Sequence, residues 1–169
     1  MKVASADPGR KGAAALITGG SGFRRTIELI NLPFDDDGLL DYRAWRDILV
    51  RWSPDVFYVE NVGPRSIRAP NAKDGMGFIS SNKFMKSVGA LEAVAACYVP
   101  DCHKVTPVVW KKAFDLLKKS KDESRATFAS LWPEYTKLMR LKKSEGMAEA
   151  GLIGTYGAIR QGIFKVVQG

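Results

Sequence analysis

The chain has 169 residues, 46% of them hydrophobic, which is enough for one domain with a real core and too little for two comfortable ones. Lysine and arginine outnumber aspartate and glutamate by 26 to 18, and the resulting net charge of +8 is the footprint of a protein whose partner carries phosphates. No apolar run approaches the ~18 residues of a membrane span and the N-terminus lacks a signal-peptide core, which argues against a spanning protein and against export by that route.

The first dozen residues, Met1 to Gly12, organise the rest. An apolar run, Val3 to Ala6, delivers Asp7 into a turn made by Pro8 and Gly9, and a second apolar run, Ala13 to Ile17, follows at once. Proline removes a backbone donor and glycine tolerates positive φ, so the pair ends a strand sharply and leaves Asp7 at the sheet edge. Phe23 to Leu32 reads as a third strand. Asp35, Asp36 and Asp37 read as a solvated turn before Gly38. Asp41 caps a helix to Trp52 whose apolar positions recur at helical spacing, with Trp45 and Trp52 as core residues. Val56 to Val59 is a strand-like run ending on a second acid, Glu60. A meander followed by a right-handed crossover sets this strand parallel to the first and beside it, so Asp7 and Glu60 become neighbours at the carboxyl ends of adjacent strands. Two acids placed together repel, and a hard cation such as Mg²⁺ or Mn²⁺ removes the repulsion.

A long segment from Asn61 to Ile79 carries Arg65, Arg68 and Lys73, which could meet phosphates beside that site or simply be solvated. Ser80 or Ser81 then opens a helix to about Tyr98, with small residues Gly89, Ala93 and Ala96 on one face, suited to close approach of another helix from this chain or a second copy. Cys102 to Val105 is the last strand. With His103, Cys97 and Cys102 offer three zinc ligands at a poor spacing, so the cysteines read as reduced core thiols and His103 as a core residue. Beyond Thr106 and Pro107 the chain turns basic, through Lys111, Lys112, Lys118, Lys119, Lys121 and Arg125, a density that favours phosphate binding. A final helix begins near Ser144. Glu145 and Glu149 share one of its faces, and Gly151 and Gly154 suggest that it lies close against the sheet.

The ordered set Ala6-Asp7-Pro8-Gly9, Val59-Glu60-Asn61-Val62-Gly63, Thr106-Pro107 with Trp110-Lys111-Lys112, Lys121 to Arg125, Leu131-Trp132-Pro133 and Ala148-Glu149-Ala150 before Tyr156-Gly157 resembles the RuvC-type Holliday junction resolvases, their phage branch above all. The resemblance covers nearly the whole chain. It implies a single α/β domain with an RNase H-like fold, a mixed five-stranded sheet in which an antiparallel meander precedes parallel strands, flanked by helices. It also implies a homodimer in the cytoplasm of a bacterium or a phage-infected cell, nicking branched DNA, four-way junctions especially, with two Mg²⁺ or Mn²⁺ ions per site. Carried over, Asp7, Glu60 and Glu149 match three of the four metal-binding acids. Relatives commonly show an Asp-His pair where this chain has Ser144-Glu145, so Glu145 is the local counterpart of the fourth.

The chemistry agrees with that assignment, since in-line displacement at phosphorus uses carboxylates from separate elements converging on one point. Lys111, Lys112 and Lys121 would offset phosphate charge there, Lys121 as part of the catalytic set. A single histidine makes a serine or cysteine hydrolase a poor fit. An RNase H acting on RNA/DNA hybrids and a non-catalytic DNA-binding protein remain the rivals. Actin-like phosphotransferases share the Asp-x-Gly opening but close two such domains around a nucleotide.

Overall fold

The computed structural model describes residues 1–9, 11–20, 23–62 and 78–163. Strand β1 (Lys2–Asp7) is the central strand of a five-stranded sheet, with β2 (Ala13–Gly20) and β3 (Phe23–Asn31) on one side and β4 (Val56–Glu60) and β5 (Asp101–Val105) on the other, in the order β3-β2-β1-β4-β5. The β1–β2 and β2–β3 pairs are antiparallel, while β4 runs parallel to β1 and β5 parallel to β4. The meander and crossover read from the sequence are therefore the architecture found. Five of the six β1 residues are buried because the strand is covered on both faces, which explains its unbroken apolar run.

One face carries α1 (Tyr42–Trp52) and α2 (Phe78–Tyr98), the other α3 (Pro107–Ala113), α4 (Lys121–Leu131), the short α5 (Thr136–Met139) and α6 (Glu145–Arg160). The first core layer packs Trp45, Leu49, Trp52 and Leu91 on Ala4, Ala6, Phe57 and Val59. The second packs Phe128, Leu152 and Ile153 on Val3, Ile17, Val56 and Tyr58. Strand side chains alternate, so Asp7 and Glu60 fall in the register of the second layer and face α6.

Local chemistry fixes the ends of the elements. The Asp41 carboxylate accepts from the backbone N–H groups of Arg43 and Ala44, both at 3.0 Å, and caps α1 as expected. Asp35 to Asp37 form an exposed turn in which Asp35 accepts from the Leu39 N–H and Gly38 takes φ 74°. Ser120 and Glu123 form a capping box at the start of α4. Helix α2 begins at Phe78, ahead of the serines expected to open it.

Two expectations about burial are corrected. Cys97 and Cys102 are exposed, because α2 turns Cys97 outward and β5 is an edge strand with a mostly exposed pattern. His103 is not a core residue: its half-exposed ring bonds Asp101 and stacks on Tyr58 at 4.8 Å. Among the described residues no helix is long and apolar enough to cross a membrane.

Candidate active site

The two strand tips bring Asp7 and Glu60 together, and α6 supplies Glu149. Parallel pairing matches Ala6 with Val59, which leaves the next residue on each strand, Asp7 and Glu60, in step. Helix α6 then lies unusually close to the sheet. A Cβ on Gly154 would come within 2.6 Å of Ser5 Oγ, and one on Gly146 would collide with the Lys11 carbonyl oxygen while sitting 3.7 Å from Asp7 Oδ2. The Ser5 hydroxyl donates to the Ala150 carbonyl at 2.7 Å and ties the helix to β1 one residue beyond Glu149. Gly154 thus holds the helix to the sheet as expected, whereas Gly151 faces the Phe128 ring of α4 instead.

Electrostatics mark the cluster. Asp7 is only 7% exposed, and its carboxyl is pushed up to about 7, first by burial and then by the charges of Glu149 and Glu60. The Gly9 N–H, donating to Asp7 Oδ1 at 3.0 Å, and the Lys121 charge pull it partly back. Glu60 is also raised, by burial before the Glu149 charge, against the opposing effects of a hydrogen bond from Trp110 and the charges of Lys111 and Lys121. Three carboxylates from three elements therefore share one low-dielectric corner with more negative charge than the fold neutralises.

The basic residues divide. Lys111 on α3 lies 3.6 Å from Glu149, and Lys121, the first residue of α4, pairs with Glu145 while its charge also reaches Asp7 and Glu60. Lys112 and Lys118 are exposed nearby, Lys118 in a left-handed turn at φ 61°. Arg125 departs from the expected phosphate-binding role: its side chain is 11% exposed and bonds Asp122 at 2.8 Å, one turn back on α4. Charge density along the sequence does not tell which face of α4 an arginine occupies. Arg65, Arg68 and Lys73 lie outside the described residues.

One contact of a motif residue has no counterpart in the sequence reading. Trp110 is fully buried on α3, and its indole Nε1 donates to Glu60 Oε1 at 3.0 Å, fixing a carboxylate from a strand tip fifty positions away. Trp110→Phe keeps the ring's bulk and removes the donor. If Glu60 is a metal ligand, the variant is expected to need about 10- to 100-fold more Mg²⁺ for half-maximal activity with an unchanged maximum, the usual effect of losing an orienting partner. A Mg²⁺ titration of activity checks this.

Among the described residues no three or more His, Cys, Asp or Glu side chains form a ready-made metal cage. Glu60, Glu145 and Glu149 are turned instead to the indole and to lysines. The donor set nevertheless fits a hard divalent cation: all-oxygen ligands, little competing nitrogen or sulfur, and a buried carboxylate whose charge is uncompensated.

The mixed five-stranded sheet and its flanking helices match the RNase H-like α/β fold of solved junction resolvases. Thermus thermophilus RuvC, solved in complex with Holliday junction substrate, superposes with a TM-score of 0.59 at 16% identity over 99% of this chain and 100% of its own. The fowlpox virus Holliday junction resolvase gives 0.60 at 15% identity, over 95% of this chain and 99% of its own. The yeast mitochondrial Holliday junction resolvase gives 0.57 at 12%, over 90% and 76% respectively. No protein-family model matches the sequence, and no curated protein matches it.

Proposed function

We propose that the protein is a metal-dependent endonuclease that nicks Holliday junctions or related branched DNA, with Asp7, Glu60 and Glu149 as the acidic centre. The observation that carries this reading is the convergence of three carboxylates from β1, β4 and α6 with unneutralised charge, beside Lys111 and Lys121. The fold shared with three resolvases supports the choice of substrate.

In this reading Asp7, Glu60 and Glu149 would hold two Mg²⁺ or Mn²⁺ ions, with Glu145 as a fourth ligand once Lys121 releases it. Such ions activate a water nucleophile and stabilise the leaving oxygen of an in-line displacement. The chain's own groups do the remainder. The Gly9 N–H and the Trp110 indole hold two carboxylates in place, and Lys111 and Lys121 exchange their carboxylate partners for phosphate oxygens. Lys112 and Lys118 extend the cationic surface along the strand.

The resemblance to phage-type resolvases, a homodimer and a cytoplasmic site of action belong to the same proposal. The face suited to a second copy is the groove between α2 and the β4–β5 edge of the sheet, where Gly89 leaves open space and Ala93 and Ala96 stand opposite Phe57, Val59 and Cys102. Sedimentation of the purified protein tests the dimer.

Incubation with a labelled four-way junction and Mg²⁺ is expected to give symmetric nicks. Preferential cleavage of an RNA/DNA hybrid would identify an RNase H instead, and tight binding without cleavage at any metal concentration a non-catalytic binder. Lys121→Ala is expected to weaken junction binding and to flatten its salt dependence by about one unit of slope for each phosphate that the missing ammonium would have neutralised. An unchanged slope in a salt titration would return Lys121 to the role of a partner for Glu145 alone.

A further inference from the structure

A cavity of about 320 Å³ opens between β5, the start of α3 and the end of α6, lined in part by Tyr58, His103, Thr106, Val109, Tyr156 and Arg160. It adjoins the acidic centre through three elements. Tyr58 lies two positions before Glu60 on the same face of β4, Val109 directly precedes the Trp110 that holds Glu60, and Tyr156 stands two turns beyond Glu149 on α6. Its wall is aromatic and rigidly tethered. His103 stacks on Tyr58 with ring centroids 4.8 Å apart, Tyr156 meets Tyr58 edge-on at 6.3 Å, the Tyr58 hydroxyl accepts from Gln161 Nε2 at 3.1 Å, and His103 Nε2 is held by Asp101 at 2.8 Å. Arg160, exposed at the end of α6, makes no ion pair among the described residues.

Core packing explains the tyrosine pair but neither the space in front of it nor a guanidinium at its rim with no ion-pair partner among the described residues. A cavity this size is at the small end of ligand sites, with room enough for one base. Aromatic walls accept any base by stacking, and a guanidinium takes a phosphate through charge-assisted hydrogen bonds.

We infer that this cavity receives one unpaired nucleotide of the bound DNA, its base against the Tyr58–His103–Tyr156 wall and its phosphate on Arg160. The inference rests on the nuclease reading and adds to it how a strand near a branch point is gripped: bases that cannot pair there become available for capture outside the helix.

The test is an abasic scan. Four-way junctions carrying a single abasic site at each position around the branch are titrated with Asp7→Asn protein, which is expected to bind without cutting. One position is expected to lose about tenfold in affinity when its base is removed. That penalty should vanish in the Asp7→Asn, Tyr156→Leu double variant. In Asp7→Asn, Arg160→Ala, an exposed change that leaves the core intact, the salt slope should fall by about one unit. Junction binding with no abasic-sensitive position, or with the same penalty and slope in every variant, overturns the inference and leaves the nuclease reading standing. Failure of Asp7→Asn protein to bind any junction overturns both.

Discussion

Asp7→Asn is expected to abolish cleavage and, in the same protein, to raise its melting temperature in chelator at pH 8. The folded state holds the Asp7 proton up to about pH 7, whereas the unfolded chain releases it near the ordinary 3.9. Between those values the folded protein binds more protons than the unfolded one, so stability falls as pH rises through the window and the full cost stands above pH 7. The difference corresponds to about 4 kcal/mol at pH 8, or roughly 2–4 °C of melting temperature per kcal/mol in a domain of this size. Asparagine keeps an oxygen for the Gly9 N–H and carries no charge, so it removes that cost. At pH 5, where the native aspartate is already protonated, the advantage should shrink to between about 1 and 2 kcal/mol. Melting curves at the two pH values check the stability arm. A junction-nicking assay checks the other, where the loss should exceed the roughly 100-fold that attends removal of an outer partner of a metal ligand. An Asp7→Asn protein no more stable than the parent at pH 8 would mean that the Asp7 charge is already neutralised without metal.

The second large effect is expected from Gly146→Ala. Alanine is the better helix former by about 1 kcal/mol, which on propensity alone predicts a more stable protein. Here the added methyl meets the backbone oxygen of Lys11, an atom with no side-chain freedom to yield, so the start of α6 must move away from the β1–β2 turn. Overpacking of this kind costs about 1–3 kcal/mol, and a shift of about 1 Å in the element carrying Glu149 costs roughly 100-fold in rate. The expected result is slight to moderate destabilisation with a much larger loss of cleavage, measured by denaturant unfolding beside the nicking assay. Full activity in the variant would show that the helix start is not held where the site needs it.

Much of this architecture is legible in the amino-acid sequence. The tips of β1 and β4 announce themselves because a strand buried on both faces must be apolar until it leaves the sheet, and each run here ends on a carboxylate. Glu149 is reachable from helical spacing, and Asp41 from its capping chemistry. Other features depend on which way an element is rotated, and linear order does not hold that. Arg125 sits in a basic run yet its side chain is buried along α4 and bonds Asp122, and Cys102 stays exposed because the edge strand β5 is covered less completely than the central strands. Trp110 reads in the sequence as part of a cationic motif. Its bond to Glu60 exists only because α3 folds back over the end of the sheet, a tertiary event with no local signal.

The bond from Ser5 to Ala150 joins residues 145 positions apart, and it stands beside the point where Glu149 meets Asp7. A chain emerging from the ribosome can form the meander and the β1–β4 pair once the middle of the sequence is out, but at that stage it holds two of the three carboxylates. The third arrives only with α6, which follows β1 and β4 in the chain and is made later, at a synthesis rate of about 5–20 residues per second. Until α6 is made the acidic centre is therefore incomplete, and a fragment ending before α6 would carry the basic α3 and α4 surface with no complete centre behind it.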